Sequence, residues 1–245
     1  MSKVIVITGA GAGLGRALAR RFGGEGETVV LLGRTLAKVE AVAVEIGDNA
    51  LAIGCDVGAP DSVRAAFARI AGRFPAIDVL INNAAVYAPF MLEDATDDQI
   101  LSSVATNLTG AMLCARSAIP LMGAGAHIIN VSSEGVELPF PHMTVYQAAK
   151  AGLERFSMGL YRELDPRGVR VSYVRAGQMA DEDKRWDIDP AVAARFLVAS
   201  TAAGLNPRER ATSHVASVTQ VFRSLIDLPA DLHAASISLF GRAAT

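Results

Sequence analysis

The chain has 245 residues, 51% apolar and 20% charged, with 23 Lys+Arg against 25 Asp+Glu and a net charge of −2. This composition supplies one large core, excludes a disordered chain, and lacks the basic footprint of a nucleic-acid binder. Cys55 and Cys114 are too few for a disulfide framework or a metal site, so buried packing in a reducing compartment is their expected role.

The opening MSKVIVITGAG has no long apolar run ahead of a small-residue cleavage site, so no secretory signal is expected. The first strand, Val4–Ile7, is followed by strands at Thr28–Leu32, Leu51–Cys55, Val79–Ile81, His127–Val131, Val169–Val174 and Ile237–Phe240. Most are apolar without alternation, as in a sheet covered on both faces. Between them lie helical stretches at Leu14–Phe22, Leu36–Ile46, Asp61–Phe74, a long Asp97–Leu121, Val145–Leu164 and Arg208–Ile226. Alternating βα units predict an α/β fold with a parallel sheet and right-handed crossovers. No linker or repeat divides the chain, so residues 1–245 read as one unit. The segment 178–206 follows a strand's carboxyl end, carries the cluster Asp181-Glu182-Asp183-Lys184-Arg185 and Trp186, and is a candidate lid. Pro and Gly interrupt the uncharged stretches, as in Ser117–Ser133, so no membrane span is expected. Together these features predict a cytoplasmic protein with neither a nucleic-acid nor a membrane partner.

The first strand runs into Thr8-Gly9-Ala10-Gly11-Ala12-Gly13-Leu14-Gly15. Glycines there permit a tight turn and let the backbone approach a pyrophosphate, which the following helix N-terminus favours electrostatically. The spacing is G-x-x-x-G-x-G, not the common G-x-G-x-x-G, and such turns also occur for packing alone. An NAD site places a carboxylate at the end of the second strand, to bond the ribose 2′-hydroxyl. Here Gly33-Arg34-Thr35 follows, with Lys38 one turn on. Arg34 is placed to fork onto a 2′-phosphate, which favours NADP(H) over NAD(H); its other role is a solvated loop arginine.

Tyr146 and Lys150 stand four apart in a helical stretch and so share a face. An ammonium beside a phenol stabilises the phenolate and lowers its pKa from about 10. Thirteen residues before Tyr146, a strand ends at Ser132-Ser133, where a hydroxyl faces the ligand crevice of a doubly wound sheet. Asn107, inside the long helix, offers an amide to a water or a carbonyl.

From Thr8 to about Gly177 this ordered set resembles the short-chain dehydrogenase/reductase family. The matching motifs are Thr8-Gly9-x-x-x-Gly13-Leu14-Gly15, Asp56-Val57, Asn82-Asn83-Ala84, Asn107, Ser133 and Tyr146-x-x-x-Lys150. The resemblance implies one Rossmann-like domain with a seven-stranded parallel sheet in the order 3-2-1-4-5-6-7. It implies Tyr146 as general acid/base, Lys150 as its modulator and ribose ligand, Ser133 as polariser of the substrate oxygen, and Asn107 as anchor of a relay water. It places Asp56 and Asn82 around the adenine and its ribose. The cofactor set then reads Gly9, Gly11, Gly13, Leu14, Gly15, Arg34, Thr35, Asp56, Val57, Asn82, Ala84, Tyr146, Lys150, Gly177 and Met179. Several positions depart from the family pattern: Ala85 replaces a glycine, Ala176 a proline, and Asp181 a threonine that grips the carboxamide. The ending around Leu228-Pro229 resembles the branch that closes with a Leu-Pro turn and a short strand.

Pocket walls are expected from Tyr87, Phe90 and Met91, from Glu134, Leu138, Phe140, His142 and Met143, and from Met179, Trp186, Phe196 and Leu197. This inventory predicts an apolar or aromatic ketone or secondary alcohol as substrate. The competing expectations are an NAD-dependent alcohol dehydrogenase and a non-catalytic nucleotide-binding sensor or scaffold. The resemblance also implies a homodimer or homotetramer built on Asp97–Leu121 and Val145–Leu164.

Overall fold

The computed structural model describes residues 2–181 and 188–242. Among them the strands are β1 (Val4–Thr8), β2 (Thr28–Gly33), β3 (Ala50–Gly54), β4 (Val79–Asn82), β5 (His127–Ser133), β6 (Arg170–Ala176), β7 (Met179–Ala180), β8 (Ser213–His214) and β9 (Ser236–Leu239). The helices are α1 (Gly13–Gly24), α2 (Leu36–Ile46), α3 (Pro60–Ala71), α4 (Asp97–Val104), α5 (Gly110–Ala118), α6 (Thr144–Leu164), α7 (Pro190–Ala202) and α8 (Val215–Ile226). Seven strands form one parallel sheet in the order β3-β2-β1-β4-β5-β6-β9, which is the expected 3-2-1-4-5-6-7 when its own strands are counted. The order reverses between β1 and β4, and in open α/β sheets that is where the carboxyl ends leave a crevice for a ligand.

Apolar runs without alternation form these strands because both faces are buried. Along β1, Ile5 and Ile7 join a cluster with Leu18, Phe22 and Phe222 under α1 and α8. Val6 faces the other way, with Phe67, Ile70, Cys114 and Leu160 under α3, α5 and α6. Both cysteines are free and buried in this second cluster, and burial pushes the Cys114 thiol up, so it packs as an inert small hydrophobe. Among the described residues no helix is long and apolar enough to cross a membrane.

Three elements differ from the sequence reading. The long Asp97–Leu121 helix is α4, a π-helical turn at Ala105–Thr109, then α5 and a 3-10 turn at Ile119–Leu121. The expected helix Arg208–Ile226 begins only at Val215. Upstream, Asn206 Oδ1 accepts from Arg208 N at 3.1 Å in a turn, and Ser213–His214 pairs with Met179–Ala180. His214 then caps α8 through Nδ1, which accepts from Ala216 N. Within 178–206, α7 was not anticipated, although Asp189 caps it and Pro190 opens it, both ordinary start signals.

Candidate active site

The crevice is built first by backbone. Gly9 and Gly13 have φ of +66° and +54°, and a Cβ on Gly15 would stand 2.3 Å from the Gly9 carbonyl oxygen. Only glycine permits this turn. Thr8 Oγ1 then accepts from the N–H groups of Asn83 and Ala84, each at 2.9 Å, while Asn83 Nδ2 donates to Thr8 O at 3.0 Å. The turns after β1 and β4 are thereby locked together. No side chain caps α1 at Ala12 and its first turn holds no acidic residue, which suits the Gly13-Leu14-Gly15 N–H groups to a pyrophosphate.

Gly11 is pressed against α2, where its Cβ would lie 2.9 Å from Lys38 Cβ. Arg34, Thr35 and Lys38 are all exposed along that rim, and no carboxylate stands at the end of β2. Asp56 is half-buried, and its Oδ1 accepts from Gly58 N at 2.9 Å; Val57 is buried against Gly110. Asn82 is 4% exposed and donates to Asn130 Oδ1 at 2.9 Å, tying β4 to β5. Ala84 lines a small cavity with Thr8, Val57 and Asn82. Gly177 donates its N–H to Leu239 O, and Met179 packs onto the core from β7.

Two departures from the family pattern are accommodated. Ala85 is exposed, and among the described residues His142, at φ +65°, is the sole non-glycine with positive φ, so the turn after β4 needs no glycine. Asp181 pairs with Arg16 of α1 at 3.4 Å, which engages its carboxylate against the glycine turn.

Ser133 ends β5, and Tyr146 and Lys150 lie on α6, whose first turn follows the loop that leaves Ser133. The Ser133 hydroxyl, whose Oγ accepts from Gly135 N at 3.1 Å, lies close enough to the Tyr146 phenol to pull on its pKa. Lys150 is 2% exposed; its Nζ donates to Val131 O at 2.7 Å and stands 5.9 Å from the Tyr146 ring centroid. The expected lowering of the phenol is not what this geometry produces. Burial pushes the Tyr146 phenol up, outweighing the pull of Ser133, and the Glu134 carboxylate adds to the rise. Lys150 is itself pushed down to about 8 by burial.

Asn107 sits in the π turn, 1% exposed. Its Nδ2 donates to Ser103 O and Val86 O, both at 2.9 Å, and its Oδ1 accepts from Val86 N at 3.2 Å. Of the two partners open to that amide, water or a carbonyl, the structure has carbonyls, and they hold the segment after β4 against the helix. Such π turns recur at functional sites.

The walls carry aromatic rings. Tyr87 stands edge-on to Tyr146, centroids 5.2 Å apart. Phe140 and Phe196 face each other at 6.3 Å, joining the loop after β5 to α7. Met143 is buried at the head of α6, and His142 O accepts from Phe90 N at 2.8 Å, so His142 shapes a loop. Leu138 and Leu197 are half-buried and Met91 is exposed. Trp186 and the charges at 182–185 lie outside the described residues.

Sequence reading named Glu134 as a wall residue but missed the ion pairs behind and beside the phenol. Glu154, two turns beyond Tyr146, accepts from Ser132 Oγ at 2.6 Å and from Arg175 Nε and Nη2 at 2.8 and 2.7 Å. Arg175 also pairs with Glu137. This network ties α6, β5, β6 and the loop carrying the pocket wall. Removing one member of a buried pair typically costs about 3–5 kcal/mol. Glu154→Leu is expected to lower unfolding free energy by about 3 kcal/mol in urea titration; a loss below about 1 kcal/mol would show that the network does not hold the site together. Glu134, next to Ser133, pairs with Arg210. The two are 76 residues apart, so only a chain-long contact could have shown them as a pair.

A family model described as short chain dehydrogenase matches residues 3–188. A serine 3-dehydrogenase of Agrobacterium fabrum is 36% identical over 186 residues, 74% of this chain and 74% of the relative. A short chain dehydrogenase from Burkholderia cenocepacia, solved in complex with NADP, is 26% identical with a TM-score of 0.82, covering 98% of this chain and 96% of that one. A 3-ketoacyl-(acyl-carrier-protein) reductase from Brucella melitensis, complexed with NADH, is 26% identical with a TM-score of 0.79, covering 97% and 96%.

Proposed function

The chain belongs to the short-chain dehydrogenase family, and from that premise we propose an NADP(H)-preferring oxidoreductase that interconverts a ketone and a secondary alcohol with Tyr146 as general acid/base. At the coarser level it is an NADP(H)- or NAD(H)-dependent oxidoreductase of carbonyl or alcohol substrates, as its relatives are. The observation that carries the finer reading is the buried Lys150, its Nζ 5.9 Å from the Tyr146 ring, with Ser133 at the carboxyl end of β5 close enough to act on the phenol.

The nicotinamide, when bound, supplies or accepts the hydride. The residues suited to hold the dinucleotide are Gly9, Gly11, Gly13, Leu14 and Gly15 at the pyrophosphate, Arg34 and Thr35 at the 2′-phosphate, Asp56, Val57, Asn82 and Ala84 toward the adenosine, and Gly177 and Met179 toward the nicotinamide. Lys150 serves its ribose. In reduction, negative charge grows on the substrate oxygen. Ser133 donates a hydrogen bond to it and Tyr146 gives up its phenolic proton. A phenol pushed up by burial keeps its proton at neutral pH, which suits it to act as the acid. Asn107 positions the segment after β4 and, by the family resemblance, a relay water.

Tyr87, Phe140 and Phe196 support a substrate with an apolar or aromatic body. Residues 178–206 act as a lid on a single unit spanning the chain. Exposed Leu101, Met112 and Met158 on α4, α5 and α6 support self-association into a homodimer or homotetramer.

Consumption of NADPH with a panel of aryl and alkyl ketones and keto acids tests the reading. Measurable oxidation with at least one ketone is expected; silence across the panel, with the dinucleotide bound, would leave a nucleotide-binding sensor or scaffold in its place. Arg34 decides the cofactor. Charge-assisted hydrogen bonds contribute about 1.5–3 kcal/mol, so Arg34→Asp should shift the NADP/NAD affinity ratio toward NAD by about tenfold or more. Should the wild type bind NAD as tightly as NADP in fluorescence titration, the NAD-dependent alcohol dehydrogenase is the better description.

A further inference from the structure

The substrate crevice is not purely apolar. Arg210 lies between α7 and α8 in sequence, yet its Nη2 reaches back to the carboxylate of Glu134, the residue directly after Ser133. The guanidinium rests over the Phe140 ring, 5.3 Å from its centroid. Its charge and that of Glu134 both act on Tyr87, whose ring stands against Tyr146. One edge of this cation is left over: among the described residues, Arg210 Nη1 is buried without a hydrogen-bond partner.

A buried donor without an acceptor is unfavourable, and native proteins seldom keep one for no reason. Two other arginine nitrogens share this condition, Arg21 Nε and Arg223 Nε. Both belong to guanidinium groups already set among Glu25, Glu27 or Asp227. They lie on α1 and α8. Arg210 differs because it is held by Glu134, the residue after Ser133, and acts on Tyr87, whose ring stands against Tyr146; Glu134 fixes the orientation of the planar fork. A guanidinium held in this way presents parallel N–H groups that match a planar or tetrahedral oxyanion.

We propose that Arg210 Nη1 is the anchor for an anionic group, a carboxylate or sulfonate, on a substrate whose apolar body lies against Phe140. This deepens the carbonyl-reductase reading and rests on it: the substrate is a keto acid or hydroxy acid, not a neutral ketone. Glu134 is the positioning partner that holds the guanidinium, and Phe140 supplies the ring on which it lies.

Binding of a matched pair tests the anchor without turnover. The probes are 4-phenylbutanoate and its neutral amide, 4-phenylbutanamide, titrated calorimetrically into the NADP-loaded protein and into the protein alone. The acid is expected to bind at least tenfold more tightly than the amide. Arg210→Gln should erase that preference. Because Arg210→Gln leaves Glu134 without its partner, the double variant Glu134→Gln/Arg210→Gln, which keeps two neutral amides in place of the pair, should show the same loss. Equal binding of acid and amide by the wild type, binding of neither, or a preference that survives both variants would overturn the anchor. Failure of the underlying reading has a separate signature: no NADPH oxidation with any ketone, neutral or acidic, whatever the titrations give.

Discussion

Tyr146→Phe is expected to cut turnover by about 10²–10⁴-fold while leaving dinucleotide binding within about twofold of wild type. Phenylalanine keeps the ring that stacks edge-on with Tyr87 and removes only the hydroxyl. The glycine turn, Thr8 and Asn83 do not touch that hydroxyl, so the pyrophosphate site stays intact. Steady-state absorbance of the reduced nicotinamide measures the first effect and its fluorescence on binding the second. A variant retaining most of the wild-type rate would remove Tyr146 from the chemistry.

Lys150→Met should separate activity from stability. Turnover is expected to fall by about 10²-fold or more, because the phenol loses the buried Lys150 cation and the ribose loses its proposed ligand. The fold should gain. Burial lowers Lys150 from its ordinary 10.5 to about 8, so between those values the unfolded chain binds more protons than the folded one. Wild-type stability therefore rises with pH across pH 8 to 10.5, and below pH 8 the buried ammonium opposes folding in full. A shift of this size corresponds to roughly 3 kcal/mol; after allowing about 1 kcal/mol for the lost hydrogen bond to Val131 O, a net gain of about 2 kcal/mol at pH 7 is expected. Urea titration at pH 7 and pH 10 measures it. A variant less stable than wild type at pH 7 would show that the hydrogen bond to Val131, not the buried charge, governs this position.

The main sheet was legible because its central strands β1, β2, β4 and β5 are buried on both faces and so read as short apolar runs between turn residues. Ser133, Tyr146 and Lys150 could be grouped from the sequence because they lie close along the chain, on one strand end and the helix that follows it. The break in Asp97–Leu121 was not legible, since a π turn adds a residue without disturbing the apolar pattern around it; in that turn the Asn107 amide reaches across to Val86. The early start assigned to the helix ending at Ile226 failed because Asn206 turns the chain, and Ser213–His214 is taken up by pairing with β7. The ion pairs Glu154–Arg175 and Glu134–Arg210 escaped notice for a common reason. Charged residues are solvated by default, and their burial depends on partners distant in the chain. That gap matters for the pocket wall: the loop after β5, read as largely apolar, carries an ion pair between Glu134 and Arg210 against Phe140.

The upward direction of the Tyr146 phenol also refines the sequence-based expectation of an acidified tyrosine. In this geometry burial dominates and pushes the phenol up, which is the direction the proposed acid role requires.

The most direct test follows isotope. NADPH deuterated at the transferable C4 position is incubated with wild-type protein and an accepted ketone, and the alcohol is weighed by mass spectrometry. One deuterium on the carbinol carbon is predicted for the wild type, with almost none formed by Tyr146→Phe under the same loading. Alcohol without deuterium, or equal deuterium transfer by the phenylalanine variant, would contradict the account.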